Sequence, residues 1–417
     1  MARKHQILHD TLALVLAGGQ GERLFPLTRD RSKPSVPFGG MYRIIDFTLS
    51  NCLNSGLRKI YVLTQYKSGS LERHIQLGWS QLFSAELEEY IFTVPPQLRV
   101  GQRWYEGTAD AVYHNTHLIQ QERPERVLVL SGDHVYSMDY QKLIDAHEHT
   151  GALVTIGAVE VPIEEASAFG VIEVDEQWRI RSFAEKPSRP APIPGKPNLA
   201  LVNMGVYCFE REVLLQALSE DAAVASRHDF GHDVLPALVD TGLLFANPFA
   251  DENRKSRPYW RDIGTIASYY EASMDLVGVD PTFNLYNQEW PLRTLPRQLP
   301  PVKTVFAQER PGGRLGIILD SLVCNGAIVS GGRVERSILS PGVRVNSYSS
   351  VADCVLMDGV EVGRHARLKR VIVDKRVKIP PGTVIGEDPE ADRQRFHVDE
   401  SGVVVIAKRT EIEPPRT

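Results

Sequence analysis

The segment Ala17–Pro34 reads AGGQGERLFPLTRDRSKP and has the residue types of an anion-binding loop. Gly18, Gly19 and Gly21 allow a tight turn and a close backbone approach, and exposed N–H groups in such a loop can cradle phosphate oxygens. Arg23 and Lys33 place a cation at either end of it. The run lacks GxGxxG and is followed by no Gly-Lys-Ser/Thr, so it is neither a dinucleotide fingerprint nor a Walker loop. The same glycines would also serve a plain strand-to-helix turn. Asp133 ends the run VLVLSGD, where a carboxylate can hold Mg²⁺ against phosphates or act as a turn or N-cap aspartate. Lys186 lies in a Glu-Lys-Pro turn beside Glu185, a position equally open to a solvated surface lysine. His228 and Asp229 form HDFG, and His228 reads as a structural hydrogen-bonding residue.

These residues need elements to hold them. LALVLA (12–17), KIYVLT (59–64) and RVLVLS (126–131) are continuous apolar runs separated by helix-length segments. That is the pattern of buried parallel strands joined by crossover helices, an α/β, Rossmann-like, mostly parallel sheet. The glycine loop then falls at the carboxyl edge of the sheet, where such folds bind ligands. Residues 152–161, 170–183 and 204–210 extend the sheet, the middle stretch as a hairpin turning near Asp175.

After residue 316 the period changes. Leu322, Ile328, Val334; Leu339, Val345, Val351; Leu356, Val362, Leu368; and Val373, Ile379, Ile385 recur six apart within each triplet, with triplets 17 apart. All are aliphatic, which predicts a hexapeptide-repeat, left-handed parallel β-helix over 316–417 with an inward aliphatic ladder. Five prolines (Pro281, Pro291, Pro296, Pro300 and Pro301) mark 281–315 as a linker after a domain spanning 1–280. The whole chain has 417 residues, 42% apolar and 24% charged, with net charge −5. These values fit a globular protein and supply no basic field for nucleic acid or membrane. The polar start, the absence of long apolar runs and four cysteines without a CxxC pair (Cys52, Cys208, Cys324 and Cys354) lead us to expect a reduced, cytoplasmic protein.

GGxGxRLxPLTxxxxKP resembles the signature of the sugar-nucleotide pyrophosphorylases, nucleotidyltransferases that make nucleoside diphosphate sugars. FGGMYRIIDFTLSNCLNSG (38–56), WYEGTADAV (104–112), LSGDHVYSMDY (130–140), IEEASAFGV (163–171), FAEKP (183–187), HDFG (228–231) and YWRDIGT (259–265) are similar to the branch that joins ATP to glucose 1-phosphate. The resemblance runs from about residue 12 to 405. It implies an ADP-glucose-forming enzyme of glycogen or starch-like α-glucan synthesis, Mg²⁺-dependent and homotetrameric, with small-molecule effectors. By the resemblance, Asp133 and Asp262 are the metal ligands, and Arg23 and Lys33 hold the departing phosphates. Gly18, Gly19, Gly21, Tyr105 and Gly107 line the nucleotide. Lys186 binds the sugar phosphate, Glu185 the sugar hydroxyls, and Gly170 leaves room for the ring. Taken alone, Asp262 could equally be an N-cap, because Thr265 and a helical segment follow. The chain departs from the pattern at Met41, where many bacterial members carry lysine, so that Met41 and Arg43 become the candidate effector residues. It departs again at Asn203, which replaces a sugar-contacting serine with a larger donor and acceptor. A different nucleotide or sugar, an acyl-transferring β-helix and a non-catalytic regulatory subunit are the competing readings.

Overall fold

The computed structural model describes residues 8–415 apart from 9, 20, 98–103 and 256. The chain divides into two compact units, Met1–Gly19 with Phe47–Trp260, and Gln20–Asp46 with Arg261–Thr417.

The first unit is built on a nine-stranded sheet: β1 (Thr11–Ala17), β2 (Lys59–Thr64), β3 (Tyr90–Val94), β4 (Arg126–Ser131), β5 (Val154–Pro162), β6 (Gly170–Val174), β7 (Ile180–Glu185), β8 (Leu199–Glu210) and β9 (Leu244–Pro248). Its main path runs β7-β6-β8-β4-β1-β2-β3, with β5 branching from β8 and β9 paired to β5. β4, β1, β2 and β3 are parallel, in registers such as Leu14 opposite both Tyr61 and Val129. These strands are apolar along nearly their whole length because layers cover both faces: Leu12, Ala13, Leu14 and Val15 are fully buried. β8 pairs antiparallel with β4, β5 and β6, so the sheet is parallel at one end and antiparallel at the other. The expected hairpin is β6–β7, and the Asp175 carboxylate accepts the Gln177 and Arg179 N–H groups in its turn.

In the second unit three parallel ladders form a solenoid. One stacks Lys303–Val305, Ile328–Ser330, Arg344–Val345, Glu361–Val362 and Lys378–Ile379. The second begins at Ile317–Leu319. The third begins at Leu322–Val323 and ends with Val404–Ile406 added beside Val371–Val373. Two expectations are corrected here. The first rung lies at Lys303–Val305, inside the stretch 281–315 marked as linker, because prolines end periodic structure without preventing a short strand just after Pro301. The first coil also runs on Val323, Val329 and Val334, not on Leu322, Ile328 and Val334. Val329 pairs with Val345 and is fully buried, whereas Ile328 pairs with Arg344. Val334 comes only five positions after Val329, where Val351 comes six after Val345. A one-residue change exchanges the two faces of a strand. The shortened corner holds Gly332, where a Cβ would lie 2.8 Å from the Asn346 carbonyl oxygen. From Val334 to Ile385 every ladder position is buried as the repeat predicts.

Candidate active site

The residues singled out from the sequence fall into two groups, one in each unit. In the first unit, the fully buried run Val127–Leu130 of β4 fixes the carboxyl-end loop Gly132–Asp133. Gly132 belongs there because a Cβ would lie 2.9 Å from the Leu16 carbonyl oxygen. Asp133 caps no helix. Its Oδ1 accepts the Ser131 hydroxyl at 2.5 Å, and the N-cap of the following helix, Tyr140–Thr150, is Asp139. His134 Nε2 stands 3.5 Å from Asp133 Oδ1. A carboxylate held this way is a hard oxygen donor, suited to Mg²⁺ or Mn²⁺ rather than to a soft metal.

The β6–β7 hairpin brings Gly170 opposite Glu185. Glu185 Oε2 lies 2.6 Å from where a Gly170 Cβ would be and 3.1 Å from a Gly231 Cβ. A side chain at either glycine would therefore crowd this carboxylate. Lys186 follows in the left-handed region (φ 48°), its N–H bonded to the Phe169 carbonyl and its exposed Nζ 3.3 Å from Glu185 Oε1. Asn203 sits where β8 bulges against β5. Its Oδ1 accepts the Gly205 N–H at 2.9 Å, and its Nδ2 donates to the Tyr207 hydroxyl at 2.8 Å. Burial raises the pKa of that Tyr207 phenol, so Tyr207 stays neutral. The Trp260 ring meets both Phe169 and His134 edge-on at 5.2 Å, with its indole N–H buried and unpartnered among the described residues.

Gly18 directly follows β1, and its Cβ would lie 3.2 Å from Gln65 Oε1. Gln65 also donates to the Tyr105 carbonyl at 3.1 Å, and the Tyr105 hydroxyl accepts from Asn115. A Cβ on Gly107 would fall 2.1 Å from the His228 carbonyl oxygen, so only glycine allows that packing. Thr108 donates to Asp229 Oδ2 at 2.8 Å, while Asp229 Oδ1 accepts the Gly231 and His232 N–H groups. His228 Nδ1 lies 2.8 Å from Asp221, whose hydrogen bond raises the imidazole pKa. This is the structural role expected of it. Gln65 was missed in the sequence. Its signal was positional, since it follows the buried strand adjacent to β1 at the same edge of the sheet.

In the second unit, Lys33 is nearly buried and its Nζ lies 2.9 Å from Asp262 Oδ1. Arg23 Nη2 and Asp262 Oδ2 both stand 3.3 Å from the place of a Gly264 Cβ. The two cations assigned to phosphates thus gather about the Asp262 carboxylate. Gly21 (φ 62°) braces the loop, its carbonyl accepting the Thr28 hydroxyl at 2.8 Å. Asp262 is no N-cap: Thr265 caps helix Ile266–Asp275 through a reciprocal box with Ser268. Met41 is half exposed and lines a cavity of about 240 Å³ with Tyr42, Arg297 and Cys324. Arg43 is different. Burial draws its pKa down to about 10 against the opposing pull of Asp46, with Arg31, Asp358 and Arg297 also near. Arg31 itself forms a buried pair with Asp374 at 2.7 Å.

Among the described residues no helix is long and apolar enough to cross a membrane. The family model described as nucleotidyl transferase matches residues 12–278, and that of the GlmU-like C-terminal hexapeptide matches 300–406. The glucose-1-phosphate adenylyltransferase of Rhodopirellula baltica is 52% identical over 98% of this chain and 92% of its own length. Glucose-1-phosphate adenylyltransferase 2 of Vibrio cholerae is 52% identical, covering 96% of this chain and 98% of its own. The glucose-1-phosphate adenylyltransferase of an Anaeromyxobacter strain is 50% identical over 97% and 99%. Likeness of this depth over both units leaves one assignment: a nucleotidyltransferase with a left-handed β-helix of hexapeptide repeats, this chain belongs to the glucose-1-phosphate adenylyltransferase family.

Proposed function

We propose that the chain transfers the adenylyl group of ATP to α-D-glucose 1-phosphate, forming ADP-glucose for glycogen or a similar α-glucan. A phosphate oxygen of the sugar ester attacks the α-phosphorus in line. The bond from that phosphorus to the bridging oxygen breaks, and pyrophosphate leaves with the electron pair. The nucleophile is ionised at neutral pH and needs no general base, which fits the structural engagement of His228. Catalysis then depends on positioning and on neutralising charge.

The residues divide that work. Lys33 and Arg23 would take the β- and γ-phosphates and stabilise departing pyrophosphate. Gly18, Gly19 and Gly21 offer backbone N–H groups, and the Tyr105–Gly107 segment lines the nucleotide. Lys186 would hold the sugar phosphate. Glu185 accepts from hexose hydroxyls, Gly170 leaves space for the ring, and Asn203 borders it. Asp133 and Asp262 would ligate Mg²⁺, whose bound charge offsets that of the triphosphate. The observation that carries this reading is the Glu185 carboxylate, which a side chain at Gly170 or Gly231 would crowd, with the exposed Lys186 beside it: an acceptor and a cation of the kinds a sugar phosphate needs.

We further propose that the chain acts in the cytoplasm as a homotetramer and that Arg43, with Met41 beside it, belongs to a site for anionic effectors. The partly buried Arg43 guanidinium, its pKa drawn down by burial, supports that reading. The test is pyrophosphate release from ATP, UTP, CTP, GTP and dTTP against several hexose 1-phosphates, repeated with phosphorylated metabolites. Selective turnover of ATP with glucose 1-phosphate is expected, lowered about 10²–10³-fold in Asp133→Asn. Preference for another nucleotide would replace the proposed substrate pair, and no release by the purified chain would favour a regulatory subunit.

A further inference from the structure

Asn115 stands at the N-cap position of helix Thr116–Glu122, where an asparagine side chain ordinarily accepts a backbone N–H of the first turn. Here the side chain caps nothing. Asn115 is 1% exposed, and its Oδ1 is buried with no hydrogen-bond partner among the described residues. Such an acceptor costs stability, so the value of the residue lies at the other end of its amide. Nδ2 lies 2.8 Å from the Ala111 carbonyl oxygen and 3.0 Å from the Tyr105 hydroxyl. A carbonyl only accepts, which fixes the amide with Nδ2 facing it. An amide nitrogen donates two hydrogens and accepts none, so both are spent and the Tyr105 oxygen receives one of them. The phenol keeps its own hydrogen, which no described residue accepts. Burial raises the Tyr105 pKa against the opposing Asn115 bond, so that hydrogen stays in place at neutral pH. Gln65 holds the Tyr105 carbonyl at 3.1 Å, and the His114 ring centre lies 5.6 Å from that of Tyr105.

We propose that Asn115 is a positioning residue that makes the Tyr105 hydroxyl a fixed hydrogen-bond donor to an acceptor atom of the nucleotide. This rests on the reading of Tyr105 as lining the nucleotide and names what that residue supplies. Asn115 is buried and acts only through the phenol. A bond made alike in the bound substrate and in the transition state lowers KM for ATP and leaves kcat unchanged.

The test is steady-state kinetics on the full chain, with ATP and glucose 1-phosphate varied in turn. Tyr105→Phe removes the hydroxyl and keeps the ring. It should raise KM for ATP about 3–10-fold, the worth of one neutral hydrogen bond. kcat and KM for glucose 1-phosphate should stay within about twofold. Asn115→Ala should do the same, and the double variant should be no worse than either single one, because all three lose the same bond. Asn115→Ala also takes a donor from the Ala111 carbonyl and leaves a gap in the packing, so Tyr105→Phe carries the test if that variant does not fold. An unchanged KM for ATP in Tyr105→Phe overturns the proposal without recourse to Asn115. It is overturned equally if a folded Asn115→Ala leaves KM for ATP unchanged, raises both KM values alike, or adds its effect to that of Tyr105→Phe. Tyr105→Ala separates the two readings. If it leaves KM for ATP unchanged, the nucleotide reading of Tyr105 itself fails. If it raises that KM while Tyr105→Phe does not, only the hydrogen bond is refuted.

Discussion

Replacing Gly170 by alanine isolates the hexose-binding function from the fold. The added Cβ would lie 2.6 Å from Glu185 Oε2 and 3.0 Å from Phe183 Cζ. The first separation is about 0.8 Å short of ordinary van der Waals contact at 3.4 Å. The carboxylate ends a flexible side chain and will give way. Giving way means leaving its present position opposite residue 170. Gly170 has no left-handed φ, so alanine meets no backbone strain. In a strand it would by itself add about 0.5–1 kcal/mol of stability. Shifting Phe183 costs about 1–3 kcal/mol, and the net effect on folding is small. A misplacement near 1 Å lowers the efficiency of a positioned group about 10²-fold. Steady-state kinetics should therefore show KM for glucose 1-phosphate raised about 10–100-fold. KM for ATP should stay within about twofold, with near-native thermal unfolding. An unchanged KM for glucose 1-phosphate would refute the placement of the sugar at this carboxylate. Equal losses for both substrates would show that the substitution disturbs the fold instead.

Lys186→Ala should raise KM for glucose 1-phosphate at least ~10-fold more than KM for ATP, because Nζ is exposed beside Glu185; initial rates with each substrate varied in turn check it. Stability should fall on acidification through His147, whose pKa burial, then Arg126, draws down from 6.5 to about 4, despite Glu210 at 3.2 Å. The neutral ring is favoured in the fold, so its contribution is complete above pH 6.5 and lost progressively from there to about pH 4. Urea unfolding should show a loss of about 2 kcal/mol between pH 7.5 and 5 that His147→Gln lacks. Leu356→Ala, at a fully buried rung of the solenoid, should cost about 2–5 kcal/mol by thermal unfolding. The outward-facing Ile328→Ala should cost markedly less, whereas equal costs would contradict the observed register of the first coil.

Much of the architecture was legible because its signals are local. An apolar run long enough for a strand, repeated between helical stretches, means a buried parallel strand wherever it occurs, and β1, β2 and β4 follow it. The six-residue ladder is legible for a related reason. Each coil solves the same packing problem against its neighbour, so the period is written many times, and one irregular coil cannot hide it. That coil, however, was misread. A fixed period carried back from Leu339 reaches Leu322, whereas hydrogen bonding to the next rung places Val323 inward. Register is a property of the pair of strands and not of either one.

The candidate site divides along the same line. Sequence alone nominated the residues proposed for phosphate and sugar chemistry, because Gly18, Arg23, Lys33, Asp133, Glu185 and Lys186 lie in short segments whose pattern resembles that of the family. Tertiary structure decided what each of them touches. Lys33 meets Asp262 across 229 positions of chain, and Thr108 reaches Asp229 across 121. It also decided that Thr265, rather than Asp262, caps its helix. Such pairings depend on distance in space, and a linear pattern specifies distance only as far as the next turn of the backbone.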